Sequence, residues 1–186
     1  MTDLTQAGMR RIVTFVDDAG RSKIHPEHAA PRVMKFAQTP GMQSSILWAT
    51  DTLPTLGGDP VDPAPTLAIG LPVAGGSVFM TLTLPPDAIY ASPSFDPAKA
   101  VAEQLAAMPG VVELMEPDAP GFHRTQTLDY VIVLAGEVWL VVDDEEVRLG
   151  PGDIVIQIGA RHAWQNRSDH PATLAVVLLG ATAAAA

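Results

Sequence analysis

The sequence predicts an all-β fold, a sandwich or closed barrel of short strands, and three observations carry that expectation. After residue 120, short apolar runs follow one another about every 8 to 12 residues, the spacing of strands in sandwiches and barrels. Turn chemistry separates nearly all of them, as Asp143-Asp144, Gly150-Pro151-Gly152-Asp153 and Ser168-Asp169-His170-Pro171. Finally, 186 residues with 47% hydrophobic and 17% charged side chains suffice to bury a sizeable core.

Along the chain, Ile12 to Val16 and Ser22 to Ile24 flank Asp17-Asp18-Ala19-Gly20, a turn composition that predicts a hairpin. Arg32 to Phe36 and Ser44 to Ala49 continue as strands. Pro54 to Pro72 holds five Pro and three Gly, which remove ladder donors and break helices. This segment is expected to be a loop, long enough to cover a barrel mouth or join a dimer contact. Ser77 to Leu84 resumes the strand pattern. Asp96 then reads as a helix N-cap with Pro97 at the first helical position, and the helix should run to about Met108 and stop at Pro109-Gly110. The later strands are Leu128 to Leu134, Val138 to Val142, Glu145 to Leu149, Ile154 to Ile158, His162 to Asn166 and Ala172 to Leu179. The expected organisation is a single domain over residues 1–186. Additional strands, the Pro-rich loop and the short helix occupy 1–110, a barrel core 111–180, and an Ala-rich tail 181–186.

Composition narrows the chemistry. Eleven basic and 21 acidic side chains give a formal net charge of −10 with no compensating run of Lys and Arg, so neither nucleic acid nor an anionic membrane surface is expected as a partner. With no cysteine, any metal site must be built from His and carboxylates. Only five residues separate Arg11 from Asp17, too few for the apolar region of a signal peptide. The apolar stretch Leu174 to Ala186 has 13 residues, short of the roughly 18 to 20 of a membrane span. The cytoplasm is therefore the expected compartment.

At the start of the regular strands stands Gly121-Phe122-His123-Arg124-Thr125-Gln126-Thr127-Leu128-Asp129-Tyr130. This segment resembles the first motif of the cupin superfamily, in which a Gly-containing lead-in precedes His-x-His, three or four residues, Glu, six residues and Gly. His123, Asp129 and Gly136 fall at those positions, with Thr125 in place of the second His. The second motif is matched by Pro151-Gly152-Asp153, Gly159, His162 and Asn166, with Gln157 where the family usually has Pro. The two half-motifs cover residues 121–166, about a quarter of the chain. The resemblance implies a cupin-type double-stranded β-helix or jelly-roll barrel with added N-terminal strands and one short helix. It also implies a small-molecule pocket, and a homodimer in which an N-terminal strand adds to the neighbour's sheet.

Side chains alternate faces along a strand, so positions 123, 125, 127 and 129 share one side, as do His162, Trp164 and Asn166. A barrel joining these strands would direct His123, His162 and Asp129 inward. Two imidazoles and one carboxylate suit Fe(II), Mn(II), Ni(II) or Zn(II), with positions open for substrate. Losing a His at Thr125 and shortening Glu to Asp129 should weaken such a site. In a metal-free pocket the same three residues would serve as acid–base groups, since imidazole titrates near neutrality and Asp129 would orient it or raise its pKa. Thr125, Gln157 and Trp164 are the candidate ligand contacts, Trp164 being either a core aromatic or a pocket wall. The expected function is small-molecule chemistry in the barrel, of dioxygenase, isomerase, lyase or dehydratase type; a non-catalytic binding or sensor protein is the alternative. His25-Pro26-Glu27-His28 is expected to be an exposed loop, His170 a solvated turn residue, Trp139 ordinary sheet packing, and Asp143-Asp144-Glu145-Glu146 a solvated hairpin tip.

Overall fold

The computed structural model describes residues 10–25, 29–51, 53–54, 56–57, 61–67 and 70–182. The His25 to His28 loop and the Ala-rich tail therefore lie mostly outside the described residues. The predicted hairpin forms from β1 (Thr14–Val16) and β2 (Ser22–Ile24), paired antiparallel. Asp17 Oδ1 accepts hydrogen bonds from the amides of Ala19 and Arg21 at 3.0 and 2.9 Å, a turn that an Asp side chain closes on its own backbone.

The remaining strands make two sheets. One has six antiparallel strands in the order β3 (Arg32–Lys35), β4 (Gln43–Thr50), β5 (Ser77–Leu84), β11 (Ala172–Gly180), β6 (Thr127–Ala135) and β9 (Ile154–Ile158). The other has three strands, β10 (Ala163–Gln165), β7 (Val138–Val141) and β8 (Glu146–Leu149). The first half of the chain thus contributes three strands to the same sheet as the second half, joined by eight register pairs of β5 with β11. Apolar side chains of both sheets form the core: Ile46, Val78, Val131, Val133 and Leu174 from the larger, Val138 and Leu149 from the smaller. Such a layered arrangement buries one face of each sheet.

Two irregularities have local causes. Ser44, Ser45, Ile46 and Leu47 are all buried, which strict alternation forbids; the register shifts between Ile46 and Trp48, leaving Leu47 as an extra residue whose carbonyl accepts from Arg11 Nη1 at 2.8 Å. Between β6 and β7, Gly136 has φ +74° and a Cβ there would meet the Pro171 carbonyl at 2.5 Å, so only glycine fits this turn.

The helix α1 (Pro97–Ala107) begins as its cap predicts, with Asp96 Oδ1 accepting from the amides of Ala98 and Lys99, both at 3.1 Å. Glu103 ties it to the β3–β4 loop by accepting from the amides of Ala37 and Gln38 at 2.8 Å. Met108 and Val112, just beyond the helix, pack with Phe36 in a second apolar cluster. Three short 3-10 turns, Ala64–Thr66, Asp87–Ala91 and Val112–Leu114, were not predicted. The first lies in the expected Pro-rich loop, where Ala64 is fully buried. Among the described residues no helix is long and apolar enough to cross a membrane.

Candidate functional site

The site is organised by backbone before side chains. His123 N donates to the His162 carbonyl and His162 N donates to the His123 carbonyl, both at 3.0 Å. This reciprocal pair is an isolated antiparallel bridge just outside β6 and β10, so β10 is shorter than predicted and His162 precedes it. Two residues distant in sequence are thereby locked side by side, with ring centroids 4.4 Å apart and planes inclined at 54°. His123 Nδ1 lies 3.0 Å from the Gly121 carbonyl, and His162 Nδ1 lies 2.9 Å from the Ala160 carbonyl. A carbonyl oxygen only accepts, so Nδ1 holds the proton in both rings and Nε2 carries the free lone pair when the ring is neutral. Gly121, at φ +87°, supplies the turn that aims its carbonyl at His123.

Arg161 clamps this arrangement from outside. Its Nε and Nη2 donate to Glu116 at 2.7 and 2.6 Å, its Nη1 donates to Asp143 at 2.8 Å, and its guanidinium lies 4.1 Å from the centroid of the Phe122 ring. The Arg161 guanidinium holds the Glu116 carboxyl below its usual pKa range. The acidic hairpin tip is accordingly more than solvated charge: Asp143 engages Arg161, and Glu146 forms a two-point pair with Arg167 at 2.9 and 2.7 Å.

Both rings open onto a cavity of about 130 Å³. Its polar end carries His123, Thr125, Asp129, Gln157 and His162, with Trp164 beside them. Trp164 meets the His162 ring edge-on at 6.3 Å and also packs against the core, so it plays both parts considered for it. Asp129 on β6 and Gln157 on β9 are register partners, 4% and 5% exposed. The inner face of β6 runs from polar to apolar, through Thr127 and Asp129 to Val131 and Val133, which places the polar cluster at one end of the barrel. The rest of the wall is apolar. It includes Met34, Met42, Met80, Met108 and Met115, which are all the methionines beyond Met9. Flexible thioether side chains give such a wall an adaptable shape.

Polar satisfaction is incomplete at this place. Five buried side-chain atoms among the described residues lack a hydrogen-bond partner, and four of them belong to the cavity wall: Ser44 Oγ, Asp129 Oδ1, Gln157 Oε1 and Gln157 Nε2. Burial pushes the His162 imidazole down to about 4, assisted by the neighbouring His123 and opposed by its hydrogen bond to Ala160. The expectation of a raised imidazole pKa is reversed at His162, because desolvation outweighs the hydrogen bond to the Ala160 carbonyl. Burial raises the Asp129 carboxyl above its ordinary value, against the lowering effects of the Thr127 hydroxyl and His123.

All six sequence-predicted site residues thus line one cavity. Asn166 does not join them: its amide nitrogen donates to the carbonyls of Leu84 and His170 at 3.1 and 2.8 Å, so it fastens a turn. Sequence reasoning missed Ser44, the methionine wall and the Arg161 clamp, since no motif links such separated positions. The donor set does not fit a divalent cation. Among the described residues no three His, Asp or Glu side chains are grouped so as to hold an ion, and Thr125, where a second motif His would stand, accepts from the Thr127 hydroxyl at 2.7 Å.

Residues 110–178 match the family described as Cupin domain. The matched segment, 69 of the 186 residues, is a cupin domain. Within it, 75 residues are 41% identical to phomopsin biosynthesis cluster protein D of Diaporthe leptostromiformis, covering 40% of this chain and 36% of that protein. A segment of 50 residues is 44% identical to oryzines biosynthesis cluster protein J of Aspergillus oryzae, covering 26% of this chain and 28% of that one. The chain therefore spans about a third of the length of these relatives. Among solved structures it is similar to a Cupin 2 conserved barrel domain protein from Salinispora arenicola, with 15% identity, a TM-score of 0.41, and coverage of 80% of this chain and 82% of that one. It is also similar to a cupin family protein with a double-stranded β-helix fold from Methanocaldococcus jannaschii, with 15% identity, a TM-score of 0.36, and coverage of 56% and 70%.

Proposed function

We propose that this cupin binds a small, largely apolar organic molecule in its cavity and that His123 transfers a proton at the polar end without a metal. The observation that carries this is the paired imidazoles: both have Nδ1 bound to a carbonyl, which leaves Nε2 of each as the nitrogen with the free lone pair, in a cavity that the buried Asp129 also lines. His162 stays neutral through the physiological range and offers Nε2 as an acceptor, while His123 exchanges the proton and Asp129 supplies a second titratable group. Isomerisation, elimination and dehydration all require such a transfer. Two relatives are named as biosynthesis cluster proteins, and we place the ligand among intermediates of small-molecule biosynthesis.

A deletion strain of the source organism, complemented with wild type or His123→Gln, tests this reading. A metabolite should accumulate with His123→Gln as it does with no gene, and purified wild type should consume that metabolite in the presence of a chelator. Full complementation by His123→Gln would mean that the protein is a carrier or sensor, the reading that the methionine-lined wall favours. Loss of turnover on chelation would restore the metal-assisted alternative.

We also infer a homodimer. On the outer face of the larger sheet, Ile154, Ile156 and Ile158 of β9 are exposed beside their register partners Ile132, Tyr130 and Leu128. One edge of β9 has no neighbouring strand among the described residues. A free apolar edge strand is a pairing surface, and two copies of β9 set antiparallel across a two-fold axis would cover it. The N-terminal strands β1 and β2 pair with each other, so β9 is the better candidate for the contact.

A further inference from the structure

The cavity's unpaired atoms form a pattern that specifies a ligand group. Gln157 is 5% exposed, and both its carboxamide oxygen and its nitrogen are buried without a partner. Its cross-strand neighbour Asp129, 4% exposed, leaves Oδ1 unpaired as well. Buried polar groups are almost always hydrogen-bonded, and each one left unmade is costly. The wall therefore presents one NH2 donor group and two oxygen acceptors, on neighbouring strands of one sheet, at the polar end of a cavity whose remaining wall is apolar.

From this juxtaposition we propose that the cavity recognises a primary carboxamide on an apolar body, read by Gln157 and Asp129. A primary amide has one carbonyl and two N–H groups. Its carbonyl accepts from Gln157 Nε2, one N–H donates to Gln157 Oε1, and the other donates to Asp129 Oδ1. All three unpaired atoms are satisfied by one planar group. A carboxylate would set its oxygens against the two acceptors and bring a charge into a buried site. A tertiary amide has no N–H to give, and a hydrocarbon leaves all three atoms unmade. Sites built to hydrogen-bond a ligand discriminate strongly against analogues lacking the group, because their own polar atoms are then left unpaired. Ser44 Oγ, a fourth unpaired atom of the wall, lies on β4, three strands from β6, and marks the opposite end of the space.

This proposal rests on the ligand-binding reading above, and the experiment separates the two. Phenylacetamide, N,N-dimethylphenylacetamide, phenylacetate and ethylbenzene are titrated into wild type, Gln157→Leu and Gln157→Met by calorimetry, with thermal unfolding confirming that each variant folds. Wild type should bind phenylacetamide at least tenfold more tightly than the dimethyl amide or the acid. Both variants should retain ethylbenzene binding and lose the preference. Equal affinities for the three polar probes in wild type, or a preference that survives in either folded variant, would overturn the carboxamide assignment while ethylbenzene binding upheld the cavity. If wild type bound neither ethylbenzene nor phenylacetamide, the ligand-binding reading would fall and this assignment with it.

Discussion

The imidazole of His162 resists protonation until about pH 4, whereas in the unfolded chain it titrates near 6.5. Between these values the unfolded state binds a proton that the folded state does not, so stability falls as pH drops through this window. The full shift corresponds to roughly 3 kcal/mol. Urea unfolding at pH 7 and pH 4.5 should reveal this loss in wild type and a much flatter response in His162→Gln. Asp129 has the opposite sign: its carboxyl is raised above 3.8 on folding, so the stability tied to its protonated form is lost as pH rises through that higher value. Asp129→Asn should raise the unfolding temperature at pH 7, and a fall would contradict the balance of causes assigned here. At Thr125 the missing donor can be restored. Titration with Ni(II) and Zn(II) should give sub-millimolar binding for Thr125→His and none for wild type. His123, Asp129 and His162 were legible because motif spacing marks them. The five methionines were not, because they come from separated segments and carry no periodicity of their own. The depressed pKa of His162 was also hidden, since burial is a property of the assembled barrel.

Among the elements, β11 holds the halves together, paired with β5 on one side and β6 on the other. Leu174 at its inner face is fully buried in the main core. Leu174→Ala should cost about 2 to 5 kcal/mol, and a shift in one cooperative transition would agree with a single folding unit across residues 1–186. Two separate transitions would instead divide the chain into independent parts. Nearly every strand was visible from alternation and turn chemistry, and α1 from its cap. Their order in the sheets was not, because the pairing of β5 with β11 joins segments far apart in the chain and leaves no local mark. The 3-10 turn at Val112–Leu114 escaped notice for a related reason: Val112 is buried only because Phe36 and Met108 meet it there.

At the scale of the whole molecule, the exposed isoleucines of β9 make a testable interface. Ile156→Lys should convert a dimer to a monomer in light scattering at micromolar concentration, leaving the cavity-facing Gln157 undisturbed; a wild type that is already monomeric would refute the pairing. The acidic balance of the chain, −10 at neutral pH, disfavours any closer approach that does not bury such an apolar strip. The bridge between His123 and His162 has a different reach. Amides and carbonyls make it, so its geometry does not depend on which side chains those two residues carry. Mutation can exchange the imidazoles at both positions while the scaffold that opposes them persists. The barrel is in this sense a socket, able to exchange the side chains it presents at this place without first having to refold.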